Sequence, residues 1–302
     1  MQRFLTSLLA LTFRVLGLIP ARLLGAIGAG LGRMAFYLDK RHRHTAFRNL
    51  SRVYPEKSRS WRWWTARESF AELGRTLFEL PHVFTRSEKY LRSRITAKID
   101  PAFHQAAEQK RGMFIAACHQ SNWELGNVMI SLQGYPSKVI YRIMKQASID
   151  AFVKQCRERF GATLISRLEG IRWLPRSLRD GDTIIVMIDQ HQSHGMPVPF
   201  LGHLASTTTL PTAFVYKQGT PVFGATIQRI GRSFRFSFCI QPIAAPVATG
   251  DKDADAYRLM QTINHHIEPS IHERPELWLW SHRRWRILEE QRDIAEAVHG
   301  TP

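Results

Sequence analysis

The 302-residue chain is short of cysteine, of acid and of unbroken apolar sequence. Its three cysteines, Cys118, Cys156 and Cys239, are scattered and include no C-x-x-C pair. That spacing excludes a disulfide scaffold and the usual structural zinc pattern, and it suits a reducing compartment. No G-x-S-x-G, no G-x-x-x-x-G-K-S/T and no G-x-G-x-x-G following a strand occurs. A serine-nucleophile elbow and a glycine-rich phosphate loop are therefore absent. Asp and Glu number 25 against 42 Lys and Arg, a net charge of +17. So large an excess implies an anionic partner: nucleic acid, an acidic membrane surface or a phosphorylated substrate. No helix-turn-helix, RNP or zinc-finger pattern accompanies it, which argues against nucleic acid. A non-enzymatic basic membrane- or nucleic-acid-binding protein is the rival class. Hydrophobic residues at 44% are those of a folded protein, and the length is enough for one large domain.

The charge is concentrated at the start. Residues 1–62 hold twelve Lys or Arg against Asp39 and Glu56. Much of it follows an apolar segment over residues 4–38, which Arg14, Arg22 and Arg33 interrupt and Pro20 breaks. No run approaches the roughly 18–20 apolar residues of a simple membrane span. The apolar character resumes after each arginine, unlike a cleaved signal. Residues 1–40 read as an interfacial, membrane-associating helical segment whose arginines snorkel to head groups. A tilted span and a soluble core helix are the other readings. The basic residues just beyond suit anionic lipid.

Residues 41–302 read as a single α/β domain. Residues 60–80 carry Trp64, Phe70, Leu73 and Leu77 near helical spacing. From about residue 110, short apolar runs alternate with longer periodic ones. Strands are predicted at 112–119, 137–143, 162–166 and 182–189. Between them lie helices at 121–134, closed by Gly134, at 146–161, closed by Gly161, and at 168–181, broken at Pro175. This alternation implies βαβ units in a mostly parallel mixed sheet flanked by helices. Two runs on either side of Gly231-Arg232 read as a hairpin that adds antiparallel strands, and residues 253–275 as a late helix.

In such sheets chemistry gathers at the carboxyl ends of strands. Two polar clusters stand there: His119 in "HQSNWE", residues 119–124, and Asp189-Gln190 after "TIIVMI". The first has two readings. Ser121 and Glu124 have the spacing of a helix capping box, which would make Glu124 structural. Alternatively Glu124, in the first helical turn, folds back onto one imidazole nitrogen of His119 and frees the other to take a proton. His191 and His194 have H-x-x-H spacing without a completing ligand set. Cys118 reads as an ordinary buried strand residue, since nothing near it would lower a thiol pKa.

The His-x-x-Asn-Trp-Glu form resembles the H-x-x-x-x-D/E motif of membrane acyltransferases, and in particular the late acyltransferases of lipid A biosynthesis. Five further stretches agree in order: "RHTAFRNLSRVYPEKS", "YRIMKQASIDAFVKQCRERFGATLI", "DGDTIIVMIDQ", "VPFLGHLAST" and "LWLWSHRRWR". The likeness spans about residues 1–287. It departs at Ser121, where the family commonly has Gly, at Gln120, where an aromatic is frequent, and in the loop from His191 to Gly202.

The resemblance implies an O-acyltransferase at the cytoplasmic face of the inner membrane, with no cofactor and no metal. It implies a His119–Glu124 dyad that activates a hydroxyl of a phosphorylated glycolipid acceptor, a lipid A precursor. The donor would be an acyl thioester, on acyl carrier protein or as acyl-CoA. Substrate-binding roles fall by the same likeness to Asn122, Arg142, Arg159, Asp189 and Gln190, the last two lining the mouth of the site. A phosphatidylinositol mannoside or an aryl polyene lipid is the alternative acceptor. Trp278, Trp280, Arg283, Arg284 and Trp285 are read either as a second membrane contact or as a core-packed C-terminal helix.

Overall fold

The computed structural model describes residues 2–286 of the chain. Four helices come first: α1 (Gln2–Leu16), α2 (Ala21–Leu38), α3 (Lys40–Val53) and α4 (Arg59–Thr85). Pro20 precedes α2 at its N-cap, where its fixed φ and missing N–H cost nothing. The chain bends there by 109° between α1 and α2. Asp39 caps α3 by accepting the His42 N–H, and Ser58 caps α4 by accepting that of Trp61.

There follow α5 (Glu88–Arg92), β1 (Ile95–Ile99), α6 (Pro101–Glu108), β2 (Met113–Ala117), α7 (Trp123–Ser131), β3 (Ser137–Tyr141), α8 (Ala147–Glu158) and β4 (Ala162–Ser166). The chain continues through α9 (Leu174–Arg179), β5 (Thr183–Met187), β6 (Met196–Phe200), β7 (His203–Thr207) and α10 (Thr212–Gln218). The last elements are β8 (Val222–Arg229), β9 (Phe236–Ile243) and α11 (Lys252–Glu273).

Seven strands form one sheet in the order β1-β9-β8-β2-β5-β3-β4. Every pairing is parallel except that of β8 with β9. The mostly parallel mixed sheet and the hairpin around Gly231 are therefore as the sequence predicts. Strand β2 lies between β8 and β5 and is buried along its whole length, as its continuous apolar sequence requires. Two hydrophobic clusters flank the sheet, one including α11 and the C-terminal tryptophans, the other including α6, α7 and α8.

Some local expectations need correction. The capping box forms at Ser166 and Glu169, around a short 3-10 turn, and not at Ser121 and Glu124. Pro175 does not break a helix; it stands in the first turn of α9. The stretch "VPFLGHLAST" forms most of the β6–β7 hairpin. Its turn residues Leu201 and Gly202 both have positive φ, as a two-residue hairpin turn demands.

The N-terminal helices pack closely rather than standing apart. Gly28 of α2 faces Gly74 of α4, and a Cβ on either would collide with the other's carbonyl. Gly32 meets the carbonyl of Phe70 in the same way. Glycine here lets two backbones touch. Arg33 also bridges to Glu68 of α4, its Nε 2.9 Å from Oε1, instead of reaching outward. A neighbouring face of α2 exposes Leu23, Ile27, Leu31, Met34 and Leu38, and α1 exposes Phe4, Leu8, Leu11 and Val15. Among the described residues no single helix is long and apolar enough to cross a membrane; α1 and α2 satisfy that test only together, as a bent pair.

Candidate active site

The register of the sheet assembles the site. Ala117 ends β2 directly beside Met187, the end of β5. Two residues further on each strand stand His119 and Asp189, so the two side chains leave neighbouring strands at the same level. His119 Nδ1 lies 2.8 Å from Asp189 Oδ1, and the His119 main-chain N–H donates to Asp189 Oδ2 at 2.7 Å. Trp278 Nε1–H donates to the same Oδ2 at 2.9 Å.

Asp189 is only 2% exposed. Burial alone would push its carboxyl upward, but the His119 ring and these donated hydrogen bonds hold it down at about 2. It therefore stays ionised and accepts a hydrogen bond from Nδ1–H, which leaves Nε2 unprotonated with its lone pair directed into the pocket. Gln190 places its side-chain nitrogen 3.2 Å from that Nε2, and Trp123 sets its ring edge-on to the imidazole.

Glu124, the expected partner of His119, is not the residue that holds the ring. Its carboxylate turns to Arg157 of α8, whose Nε lies 2.9 Å from Oε2. An arginine pairs bidentately with a carboxylate and draws it away from a neutral imidazole. Glu124, Arg157 and the exposed Arg142 nevertheless line the same pocket as His119, about 450 Å³ in volume. Gln190 also lines this pocket; Asp189 is instead behind the imidazole.

Two other expected substrate contacts are elsewhere. Asn122 is fully buried: its Oδ1 caps α7 by accepting the Leu125 N–H at 3.1 Å, and its Nδ2 donates to Glu79 at 3.0 Å. Arg159 lies outside the His119 pocket. It donates to the carbonyls of Val83 and Arg86, at 3.2 and 2.7 Å, and lines a separate hollow with Arg14. Among the described residues no three His, Cys, Asp or Glu side chains cluster as a metal site would require.

What fixes the "HQSN" loop is a buried ionic knot that local spacing does not reveal. Arg229 of β8, 1% exposed, grips Glu72 and Glu79 of α4. Its Nε is 2.8 Å from Glu72 Oε1, and Nη1 and Nη2 are 2.7 and 2.8 Å from the Glu79 oxygens. Ser121 Oγ donates to Glu72 at 3.2 Å, and Thr76 donates to the Ser121 carbonyl at 3.0 Å. The two carboxylates hold Arg229 charged although burial works against it. Ser121 has φ +51°, a backbone conformation that glycine adopts freely. The hydroxyl bond to Glu72 offsets that strain in this chain.

The C-terminal segment completes the support. Leu279 N–H donates to the His119 carbonyl at 3.1 Å, and Ser121 N–H to that of Leu277 at 2.7 Å. Trp278, Trp280, Trp285 and Arg284 are buried, so they pack into the core and make no membrane contact, although the segment that carries them is irregular and not a helix. Arg284 donates to the carbonyls of Ser206 and Gln190 at 2.6 and 3.2 Å. Burial lowers it to about 10, with Asp189 pulling the other way. His282 lines the pocket, and burial pushes it down to about 4. Cys118 is buried beneath the loop, and burial first, then the charge of Asp189, raises its thiol well above the usual range.

A second hollow of about 830 Å³ opens at His119 and extends between apolar side chains of α2 and α4, among them Leu31, Phe70, Leu73, Leu77 and Phe78. His119, Trp123, Glu124, Arg157, Gln190 and His282 line both hollows. The Nε2 of His119 thus stands where a polar pocket meets an apolar groove.

The profile of the bacterial lipid A biosynthesis acyltransferases matches residues 1–287. The chain belongs to that family. It is 25% identical over 271 residues to the lipid A biosynthesis palmitoleoyltransferase of Escherichia coli (strain K12), covering 89% of this chain and 86% of that one. Identity with the lauroyltransferase of the same organism is 23% over 278 residues, 90% and 88% of the two chains. For its myristoyltransferase the figure is 22% over 279 residues, 88% and 81%. The chain is accordingly an O-acyltransferase, and the family supports acyl transfer in lipid A biosynthesis as its reaction.

Proposed function

We propose that this acyltransferase moves a fatty acyl chain from an acyl thioester, carried on acyl carrier protein, to a hydroxyl of a phosphorylated lipid A precursor. The reaction would take place at the cytoplasmic face of the inner membrane. The observation that carries the reading is the position of His119, held by a buried carboxylate where the polar pocket and the apolar groove join. A thioester with its chain along the groove brings its carbonyl to Nε2, and an acceptor hydroxyl enters from the polar side.

His119 Nε2 takes the hydroxyl proton as the oxygen attacks the thioester carbonyl. Asp189 stabilises the imidazolium that forms. The tetrahedral intermediate collapses, its C–S bond breaks, and the imidazolium returns the proton to the departing thiolate. Arg142, at the pocket mouth, supplies positive charge near the developing oxyanion. Glu124 and Arg157 form a charged wall of the same pocket. Burial of the chain in the groove contributes about 0.8 kcal/mol for each methylene removed from water.

The exposed apolar faces of α1 and α2, and the basic residues that follow, suit attachment at a bilayer surface. The test is mass spectrometry of a lipid A precursor incubated with acylated carrier protein and either the wild-type chain or His119→Ala. The expected product is heavier by one acyl group and depends on the imidazole. Transfer at the wild-type rate by His119→Ala would refute the mechanism, and no transfer by the wild type to this acceptor would refute the substrate.

A further inference from the structure

A concavity of about 1130 Å³ is separate from the site just described. Eight Lys or Arg side chains line it, and among the described residues no carboxylate does. Three parts of the chain contribute: Arg41, Arg48 and Arg52 come from α3, Arg59 from the first turn of α4, and Arg283 and Arg286 from the loop after Trp280. Among the described residues none of these six pairs with an acid. Partial burial and the neighbouring charge of Arg48 depress the Arg52 guanidinium, so the cations repel one another within the groove. Cations held together without a counter-charge form a site that an anion would relieve.

We propose that this groove binds the phosphate groups of the acceptor glycolipid, which deepens and rests on the acyl-transfer reading. Three observations favour a phosphorylated lipid headgroup over an acidic protein. Seven of the eight cations are arginine, whose planar fork matches the oxygens of a phosphate. The groove begins where the exposed apolar strip of α2 ends: Leu38 is exposed, and Lys40, two residues on, is already a wall of the groove. An amphiphile laid along that strip has its charged end at this place, whereas a soluble carrier protein needs no apolar strip beside its docking surface. Arg283 also directly follows His282, which lines the pocket with His119. Asn49 of α3 fixes that loop by donating to the carbonyls of Trp280 and His282, at 2.9 and 2.8 Å. A phosphate in the groove thereby holds its sugar beside the reacting centre.

The test is a binding measurement that needs no turnover. Full-length protein carrying His119→Ala is partitioned onto phosphatidylcholine vesicles doped with a disaccharide lipid that bears two phosphate monoesters. Parallel samples contain the same lipid after dephosphorylation, or phosphatidylglycerol at matched surface charge. The expected result is at least about tenfold tighter binding to the phosphorylated glycolipid than to either, lost in the double variant Arg48→Glu/Arg283→Glu.

Arg48 and Arg283 are exposed, so the variant should fold, as circular dichroism would report. Arg41→Glu/Arg59→Glu is a second pair for the same test. Equal binding to matched phosphatidylglycerol would overturn the proposal in favour of a general anionic surface. Unchanged binding by both folded variants would overturn it too. So would loss of binding to acylated carrier protein with the glycolipid unaffected. Absence of acyl transfer by the wild type would refute the reaction but leave this measurement intact.

Discussion

Asp189 holds His119 at two points at once, accepting the main-chain N–H on one oxygen and the ring nitrogen's proton on the other. Position and tautomer are set by one buried carboxylate. The two residues should therefore act as a unit. His119→Ala is expected to cost about 10²–10⁴ in kcat, and Asp189→Asn a comparable factor. The double variant should lose little more than His119→Ala alone, because Asp189 has nothing left to orient. Fully additive losses in a double-mutant cycle would mean that Asp189 works independently of the ring.

Two groups predict acid sensitivity in separate windows. The Asp189 carboxyl is depressed from its ordinary value near 4 to about 2. Its contribution, on the order of 2 kcal/mol, is present above about pH 4 and disappears as pH falls towards about 2. His282 is likewise depressed, from about 6.5 to about 4. The folded state keeps it neutral while the unfolded chain takes up the proton, so stability falls as pH drops from about 6.5 to about 4. Denaturant titrations across pH should show both slopes, and His282→Gln should flatten only the upper one. An unchanged upper slope in that variant would exclude His282 as its source.

Removing Arg229 would leave Glu72 and Glu79 facing each other in the interior. Arg229→Ala is expected to cost about 3–5 kcal/mol, the penalty for an uncompensated buried charge. Arg229→Lys should recover part of it but not the bidentate grip. Urea titration of the three proteins tests the ranking. A loss below about 1 kcal/mol in Arg229→Ala would show that the knot adds little to stability.

The contact of α2 with α4 depends on hydrogen in place of a methyl group. Gly28→Ala should be strongly destabilising, because the new Cβ would meet the backbone of Gly74. Gly30, two residues away, has nothing within 4 Å of its hypothetical Cβ. Gly30→Ala should be neutral or stabilising by up to about 1 kcal/mol through helix propensity. Thermal melts of the pair separate steric from propensity effects; equal melting temperatures would contradict the packing described.

The strand and helix alternation was readable because each run has its own period and each helix its stop, such as Gly134 and Gly161, both at positive φ. His119 was readable because an apolar strand ended on it. The identity of its partner was not. Glu124 is five residues away in sequence, whereas Asp189 is seventy away and arrives only through the pairing of β2 with β5. A periodicity identifies strands without ordering them. The same limit hid Arg229, which reads as a polar residue at the end of a strand until α4 closes over it. Asn122 was assigned to the substrate by resemblance alone; caps and binding residues share one chemistry, and only burial separates them.

Helix α4 joins two distant parts of the molecule. Through Gly74, α4 touches the segment that carries the exposed apolar strip, and through Glu72 and Glu79 it secures the loop that carries the imidazole. It works as a strut of fixed length between the two. On the proposed reading, with the strip at an oily boundary, the base would stand at a constant height above it, and a substrate hydroxyl would be reached or missed according to its own distance from that boundary. Selection among the hydroxyls of a large acceptor would then become partly a matter of altitude.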